Sequence, residues 1–390
     1  MHILSLRLHD FRSYRQVLLS PPQGVTVFVG ENGAGKTNLL EAVHLCCLGR
    51  SHRTSADKEM IREGQETAAV QVKVQRDDGV DEVGVRLYAP TAHKRKLLYI
   101  NGKTASRTGE LMGHVTCVMF SPEDLDIVRG APQGRRRFVD MLLSQCGKGY
   151  FYALQNYNAA LKQRNALLHD ISKGAGDQTL SSWDEQLCAA AVPVVKSRQY
   201  AAQALDSLAR GHYAYIGGRE DEVFALQYQG HLAESTDPAG EMMRLLQQSR
   251  AEDIRRATTT VGPHRDDLLL TLAGRDMRAF ASQGQMRTAV LSMRLAELDL
   301  LRERHGEAPL LLLDDVLSEL DGGRRTRLLE RIAGVQTLLT CTDLSDLSGA
   351  QPAAILRVQH GEITEARTRK PFYGTGTARC WTMYGQARRP

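Results

Sequence analysis

Apolar and polar positions recur with a period of two toward both ends of the chain and with a period near 3.6 through its middle. Met1 to Leu8 alternate as a strand does, and Val25-Thr26-Val27-Phe28-Val29 is a short apolar, β-branched run. Alternating segments at 68–74, 82–87 and 97–100 are broken by Asp-Gly and Asn-Gly pairs, of which Asn101-Gly102 is the clearest hairpin signal. Val115 to Phe120 reads as a buried strand that stops at the turn or cap Ser121-Pro122-Glu123-Asp124. Beyond about residue 127 the period lengthens. Phe138, Met141, Leu142 and Leu143 open a helix, and Tyr150, Leu154, Tyr157, Leu161 and Leu168 form one amphipathic stripe with Arg164 and Asn165 beside it. A helix over about 182–210, a strand near 223–228 and a helix near 241–250 follow, none long enough for an extended coiled coil. The β pattern resumes at 258–272. A helix over about 288–304 then leads to Leu310-Leu311-Leu312-Leu313, the unbroken apolar run of a strand buried on both faces, and strands are expected at 335–340 and 355–358.

This alternation predicts an α/β fold: a head with a mixed β-sheet, interrupted by a mainly helical arm. The expected units are residues 1–127, an inserted arm at 128–255, the rest of the head at 256–366, and a basic tail at 367–390 without fixed structure. No apolar stretch reaches the roughly 18 residues of a membrane span. The seven cysteines contain no C-x-x-C pair and are odd in number, which argues against zinc and against a disulfide framework and points to a reducing, cytoplasmic setting. The net charge is +5, yet the tail alone carries six basic residues and no acid, so residues 1–366 sum to about −1. A nucleic-acid partner therefore cannot be inferred from overall charge, although the tail is compatible with non-specific DNA contact.

The chemistry begins after the second apolar run. Gly30-Glu31-Asn32-Gly33-Ala34-Gly35-Lys36-Thr37 fits G-x-x-x-x-G-K-[ST] between a strand and a helix, the arrangement of a phosphate-binding loop. Glycines let the backbone bend so that its N–H groups meet phosphate oxygens, and the helix N-terminus adds positive potential there. Lys36 is expected on the β- and γ-phosphates of ATP, and Thr37 on Mg²⁺. The Leu310 run ends in Asp314-Asp315, then Ser318-Glu319-Leu320-Asp321. Adjacent carboxylates at a strand end are costly without a cation or hydrogen bonds, so Asp314 is expected to support Mg²⁺ and Asp315 to orient the attacking water. Ser282-Gln283-Gly284-Gln285 is a second glycine loop at a helix start, 32 residues before Asp314. Three other polar segments stand out. Arg53 in the loop Gly49 to Thr54 reads equally as solvated or as a contact to phosphate or nucleic acid. The run Arg135-Arg136-Arg137 reads as a solvated face first and a phosphate contact second. Gly262-Pro263-His264-Arg265-Asp266-Asp267 packs enough polarity together to suggest a site.

The order of these motifs resembles the ATP-binding-cassette ATPases, in particular the head domains of structural-maintenance-of-chromosomes proteins. Phe11-Arg12-Ser13-Tyr14, the phosphate loop continued through Asn38-Leu39-Leu40-Glu41-Ala42, Ser51-His52-Arg53-Thr54, Phe120 to Leu125, Gly262 to Asp267, Ser282 to Gln285 and Leu313 to Asp321 together are similar to the bacterial RecF family of recombination mediators. The resemblance spans about residues 1–365. It implies a weak DNA-stimulated ATPase in DNA repair, replication and the SOS response. Such a protein forms an ATP-dependent homodimer on double-stranded DNA near gaps or junctions and acts with RecO and RecR to load RecA. In it, Ser282 and Gly284 reach the nucleotide of a second copy, and Asp321 faces the dimer seam. The chain departs from the pattern at Met286, where glutamine is more usual. Thr340 to Asp343 holds no switch histidine, and Ser121 to Asp124 no Q-loop glutamine. A small-molecule kinase shares the phosphate loop but needs neither later motif. A transporter ATPase subunit and a DNA-binding scaffold with a vestigial ATP site are the other readings.

Overall fold

A computed structural model describes residues 1–90, 96–218, 222–347 and 351–368; the tail expected from 367 onward is corrected at its start, where Arg367 and Thr368 pair with Ile355 and Ala354 in the last strand, and 369–390 lie outside the described residues. The N-terminal portion supplies β1 (His2–Phe11), β2 (Tyr14–Leu19), β3 (Val25–Val29), α1 (Lys36–Leu48), β4 (Thr67–Arg76), β5 (Gly79–Tyr88), β6 (Lys96–Ile100), β7 (Lys103–Ala105) and β8 (Cys117–Phe120). Six of these strands form an antiparallel sheet in the order β2-β1-β4-β5-β6-β7. Asn101 and Gly102 take φ of +49° and +79° in the β6–β7 turn, as an Asn-Gly hairpin demands.

The C-terminal portion adds β12 (Leu310–Asp314), β13 (Thr337–Cys341), β14 (Ala354–Gln359) and β15 (Glu362–Thr368). With β3 and β8 they build a second sheet, β15-β14-β3-β13-β12-β8, parallel except for its β15 edge. Every residue of β12 and β13 is buried, which is why β12 reads as a continuous apolar run up to Asp314. Helix α1 lies between the two sheets, touching β4 and β5 on one side and β8, β12 and β13 on the other. Sandwiched in this way it is apolar around its circumference, from Leu39 and Leu40 to Cys46, Cys47 and Leu48.

Helices dominate the middle: α2 (Asp126–Arg129), α3 (Pro132–Cys146), α4 (Lys148–Ile171), α5 (Leu180–Gly217) and α6 (Pro238–Arg256), with β9 (Phe224–Gln229) between the last two. After them come β10 (Asp267–Leu272), β11 (Arg275–Asp276), α7 (Met277–Phe280), α8 (Gln283–His305) and α9 (Gly322–Arg331). A three-stranded sheet β11-β10-β9 joins the two stretches, with Leu226 opposite Leu270 and Phe224 opposite Leu272. Helix α5 runs through Pro193 and past the expected end at 210. Its extra turns bury Tyr213 and Ile216, and the Tyr213 ring stacks on Phe224 at 5.5 Å, so packing overrides the Gly211 that looks like a stop signal.

Two sequence expectations are corrected here. Arg135 is not on a solvated face: it is buried and forms a two-pronged ion pair with Asp267 at 2.6 and 2.9 Å. Arg136 donates to the Asp266 carbonyl and Arg137 to the His52 carbonyl, so the run ties α3 to β10 and to the head. The Gly262–Asp267 cluster is likewise an internal anchor. His264 Nδ1 accepts from the Tyr157 hydroxyl at 2.6 Å while Nε2 donates to the Thr259 carbonyl at 3.0 Å, and burial pushes its pKa down to about 4, which keeps the ring neutral. Asp266 accepts from Tyr228, and burial raises its pKa. Nearby, Arg198 holds Asp140 with two prongs at 2.9 and 3.0 Å and donates to the Pro263 carbonyl. Arg164, fully buried, bonds Asp184, Asp253 and Thr259. Apart from Arg137 and Arg265, which are exposed, these polar residues face one another rather than solvent.

Candidate nucleotide-binding site

The phosphate loop joins the central strand β3 to α1, and its glycines are each required for a different reason. Gly33 and Gly35 have φ of +82° and +110°, a region costly for side chains. A Cβ on Gly35 would lie 2.6 Å from Ser13 Oγ and 3.1 Å from the Tyr14 hydroxyl. Gly30 has ordinary φ, but a Cβ there would fall 2.2 Å from the Val358 carbonyl of β14. The loop is therefore pressed between the β1–β2 turn and the end of β14. Tyr14 fastens it by donating to the Gly35 carbonyl at 2.9 Å. The outer side of the loop, at Glu31, Asn32 and Gly33, is exposed.

Lys36 is buried and donates from Nζ to the Gly30 carbonyl at 2.6 Å and the Glu31 carbonyl at 2.9 Å, lying across its own loop. Burial lowers its pKa, opposed by the negative charge of Asp315, Cys341 and Asp314. The first turn of α1 carries no acid and receives no side-chain cap, which leaves its N–H groups for an anion. Parallel pairing puts β13 between β3 and β12, so the carboxylates at the end of β12 sit one strand away from the loop. Thr37 Oγ1 donates to Asp314 Oδ1 at 2.9 Å, and Ala34 remains beside Gly30 at the loop crest. No cluster of three or more His, Cys, Asp or Glu among the described residues could cage a metal. The Thr37–Asp314 pair instead suits Mg²⁺, which keeps waters and phosphate oxygens as its remaining ligands.

Thr340, on β13, enters the sequence reading only for the histidine its segment lacks, yet it touches both carboxylate residues of the site. Its buried hydroxyl donates to Asp314 Oδ1 at 2.7 Å and accepts from the Asp315 N–H at 3.0 Å, holding both carboxylate residues at once. Asp315 needs this hold, because its φ is +52°, which few non-glycine residues adopt. Only the sheet order reveals the contact; no spacing along the chain does. Thr340→Val removes the donor and the acceptor together while keeping β-branched shape. We expect hydrolysis to slow about tenfold or more through misplacement of the carboxylates, with ATP affinity little changed, as measured by single-turnover kinetics beside titration calorimetry.

A second network flanks the loop. Glu41, buried in α1, takes two bonds from Arg12 at 2.7 and 2.8 Å and one from Ser51; burial opposes its charge, but Arg12 and Ser51 outweigh this and leave its pKa low. Arg53 is partly exposed beside it, bonded to Asn38 Oδ1 at 3.3 Å. The Phe11–Tyr14 and Ser51–Thr54 segments, far apart in sequence, thus converge on α1.

The serine loop occupies the start of α8. Ser282 and Gln283 are exposed, and Ser282 closes a capping box with Gln285, accepting from its N–H at 3.3 Å and donating its own N–H to Gln285 Oε1 at 2.8 Å. Gly284 lies against the Arg324 guanidinium, 3.3 Å from where a Cβ would stand, and Arg324 pairs with Asp321, the N-cap of α9. Ser282, Gly284 and Asp321 therefore gather at one edge. Farther along α8, Arg294 grips Asp124 with two bonds at 2.6 and 3.1 Å, both side chains buried, and so ties the serine helix to the Ser121–Asp124 corner after β8.

Known proteins resemble this chain over nearly its whole length. The family profile described as RecF/RecN/SMC N terminal domain matches residues 2–362. The chain is 43% identical over 374 residues to the DNA replication and repair protein RecF of Symbiobacterium thermophilum, covering 93% of this chain and 98% of the relative. It is 42% identical over 373 residues to the protein of the same name from Gloeobacter violaceus, with the same coverage. A solved structure of the recombination mediator protein RecF-ATP in the RecFOR pathway superposes with a TM-score of 0.86 at 31% identity, over 94% of this chain and 98% of that one. The Smc head bound to the C-winged helix domain of ScpA shares the fold, with a TM-score of 0.54 at 15% identity over 93% and 96% of the two chains.

Proposed function

The chain belongs to the RecF family of DNA replication and repair proteins, within the wider RecF/RecN/SMC group, and from that premise we propose that it is a recombination mediator whose ATP-driven dimer clamps double-stranded DNA near single-strand gaps. Lys36 and the backbone from Gly30 through Thr37, with Glu31, Asn32, Gly33, Ala34 and Gly35 between, hold the triphosphate. Thr37 and Asp314 hold Mg²⁺, which when bound neutralises phosphate charge. Asp315 orients the attacking water, and Ser282 and Gly284 complete the site of a partner copy. Hydrolysis is slow and resets the clamp. The protein works in the cytoplasm with RecO- and RecR-type mediators to load RecA.

The observation that carries this reading is the division of the site. A nucleotide loop with an uncapped first helical turn lies at the end of β3, while an exposed serine loop, beside Asp321, directs its own bonds into a capping box. Each half suits the other's counterpart in a second copy. A phosphoryl-transferring kinase would need no such loop. The reading is tested by light scattering of the full chain with ATP and Mg²⁺, together with binding to gapped and intact duplexes at stated salt. A mass that doubles with ATP and falls again on turnover is expected; a protein that stays monomeric at saturating ATP, with and without duplex, refutes it. Ser282→Arg places a bulky cation at the seam. It should leave ATP affinity unchanged and abolish the doubled mass, and an undiminished dimer in the same scattering assay would remove Ser282 from the interface.

A further inference from the structure

Residues 1–366 are close to neutral, so a polyanion has to be met by a local concentration of cations. The fold assembles one from three segments far apart in sequence. Arg137 donates to the His52 carbonyl at 3.2 Å, which sets α3 beside the loop that carries Arg50 and Arg53. Its neighbour Arg136 donates to the Asp266 carbonyl at 2.6 Å, which brings Arg265 to the other side. Arg50, Arg53, Arg137 and Arg265 are all exposed. The two hydrogen bonds order them in a row that runs from the phosphate-loop helix toward the arm.

No acid neutralises this row. Arg137 and Arg265 donate to carbonyls, of His52 and Thr259, which fix the guanidinium groups and leave their full charge in place. None of the ion pairs among the described residues includes Arg50, Arg137 or Arg265, and Arg53 stands 4.0 Å from Glu41, which Arg12 already holds. The nearby carboxylates are committed elsewhere: Asp140 to Arg198, Asp267 to Arg135, and Asp266 to Tyr228. Partial desolvation, and after it the like charge of Arg137, lower the Arg50 pKa. Like charges held together without a counterion cost free energy that a bound anion recovers.

A triphosphate in the loop at 30–37 meets only the Arg53 end of the row, where Asn38 accepts from Arg53 at 3.3 Å. A row that continues to Arg265 suits an extended phosphate backbone. The exposed aromatic side chains among the described residues, Tyr200, Tyr215 and Phe280, lie on other segments. The row therefore offers phosphate contact with no platform for unpaired bases, which fits a duplex held without regard to sequence.

We propose that Arg50, Arg137 and Arg265 form a backbone contact for double-stranded DNA that crosses from the head to the arm. This surface takes its duplex partner from the clamp reading, and it needs no second copy to form.

Fluorescence anisotropy of a labelled duplex of mixed sequence, with the full chain, ATP and Mg²⁺ over a salt series, tests it. Arg50→Gln, Arg137→Gln and Arg265→Gln together are expected to weaken binding about 10²-fold at roughly 0.1 M salt. They should also flatten the slope of log affinity on log salt by about 2.7, close to 0.9 per contact. Lysine at the same three positions keeps the charge and should keep the slope. Calorimetric ATP affinity should match the parent in both sets. Arg50 makes no side-chain hydrogen bond among the described residues. Arg50→Gln alone, expected to flatten the slope by about 0.9, therefore decides the matter if the triple variant melts early. A parental slope in the glutamine variants, with the parent bound to duplex, overturns this surface and leaves the clamp reading standing. A parent that binds no duplex at any salt removes both. Lost ATP affinity with duplex binding intact would assign the row to the nucleotide and overturn the proposal. Weakened binding to oligothymidylate with the duplex unaffected overturns it too, as do lysine variants as weak as the glutamine ones at equal melting temperature.

Discussion

Lys36→Ala weakens ATP binding by roughly 10² to 10⁴-fold. In the structure this ammonium is buried and bonded to two loop carbonyls, Gly30 and Glu31. Those contacts mark its reach: the same Nζ that spans the loop can turn to the phosphates the loop cradles. Hydrogen bonds from a cation to an anion are worth about 1.5–3 kcal/mol each. Losing two weakens binding by roughly 10² to 10⁴-fold, because each 1.4 kcal/mol is a factor of ten. Loss of the loop staple is a separate effect, visible as a change in melting temperature without nucleotide. Calorimetric titration distinguishes the two, and an affinity near that of the parent would exclude Lys36 from the phosphate site. Since association is proposed to follow nucleotide binding, the variant also stays monomeric.

Asp315→Asn gives the opposite phenotype: ATP stays bound, hydrolysis falls by about 10² to 10³-fold, and the dimer persists on DNA. The magnitude is that of removing a well-placed general base or positioning group. Asparagine is the informative replacement, because it tolerates the φ of +52° and keeps the backbone N–H that donates to Thr340. It withdraws only the negative charge and its basicity. One further effect has a fixed sign: Asp315 is the first of the groups that oppose the lowering of the Lys36 pKa, so its neutralisation leaves that pKa lower still. Rapid-quench turnover beside light scattering checks the result, and a parental hydrolysis rate would reassign the water-orienting role.

The parts of the site that could be read from the sequence are those whose partners are neighbours along the chain. The glycine spacing of the phosphate loop, the apolar run before Asp314 and the Ser282 cap each declare themselves within ten residues. Thr340 did not, because its partners reach it through strand order. The Gly262–Asp267 cluster and Arg135 misled for a related reason, while Arg137 is exposed as a solvated face would have it. A polar run reads the same whether it faces water or other charges, and the partners of Arg135 and Arg164 lie up to 132 residues away. Helix α5 exceeded its expected length because Tyr213 found Phe224 to pack on, a contact that periodicity cannot see.

The β9–β10 ladder also bears on how this protein can vary. A strand from within the helical stretch is zipped to one that lies beyond it, and Arg135 and Arg164 bolt the same two regions together. The arm is therefore not a cassette that could be trimmed off or traded at its sequence boundaries. Any exchange between relatives would have to carry both sides of that seam, and a shortened arm would strip β10 of a row of backbone partners and uncover Leu268 and Leu270, which stand opposite Tyr228 and Leu226.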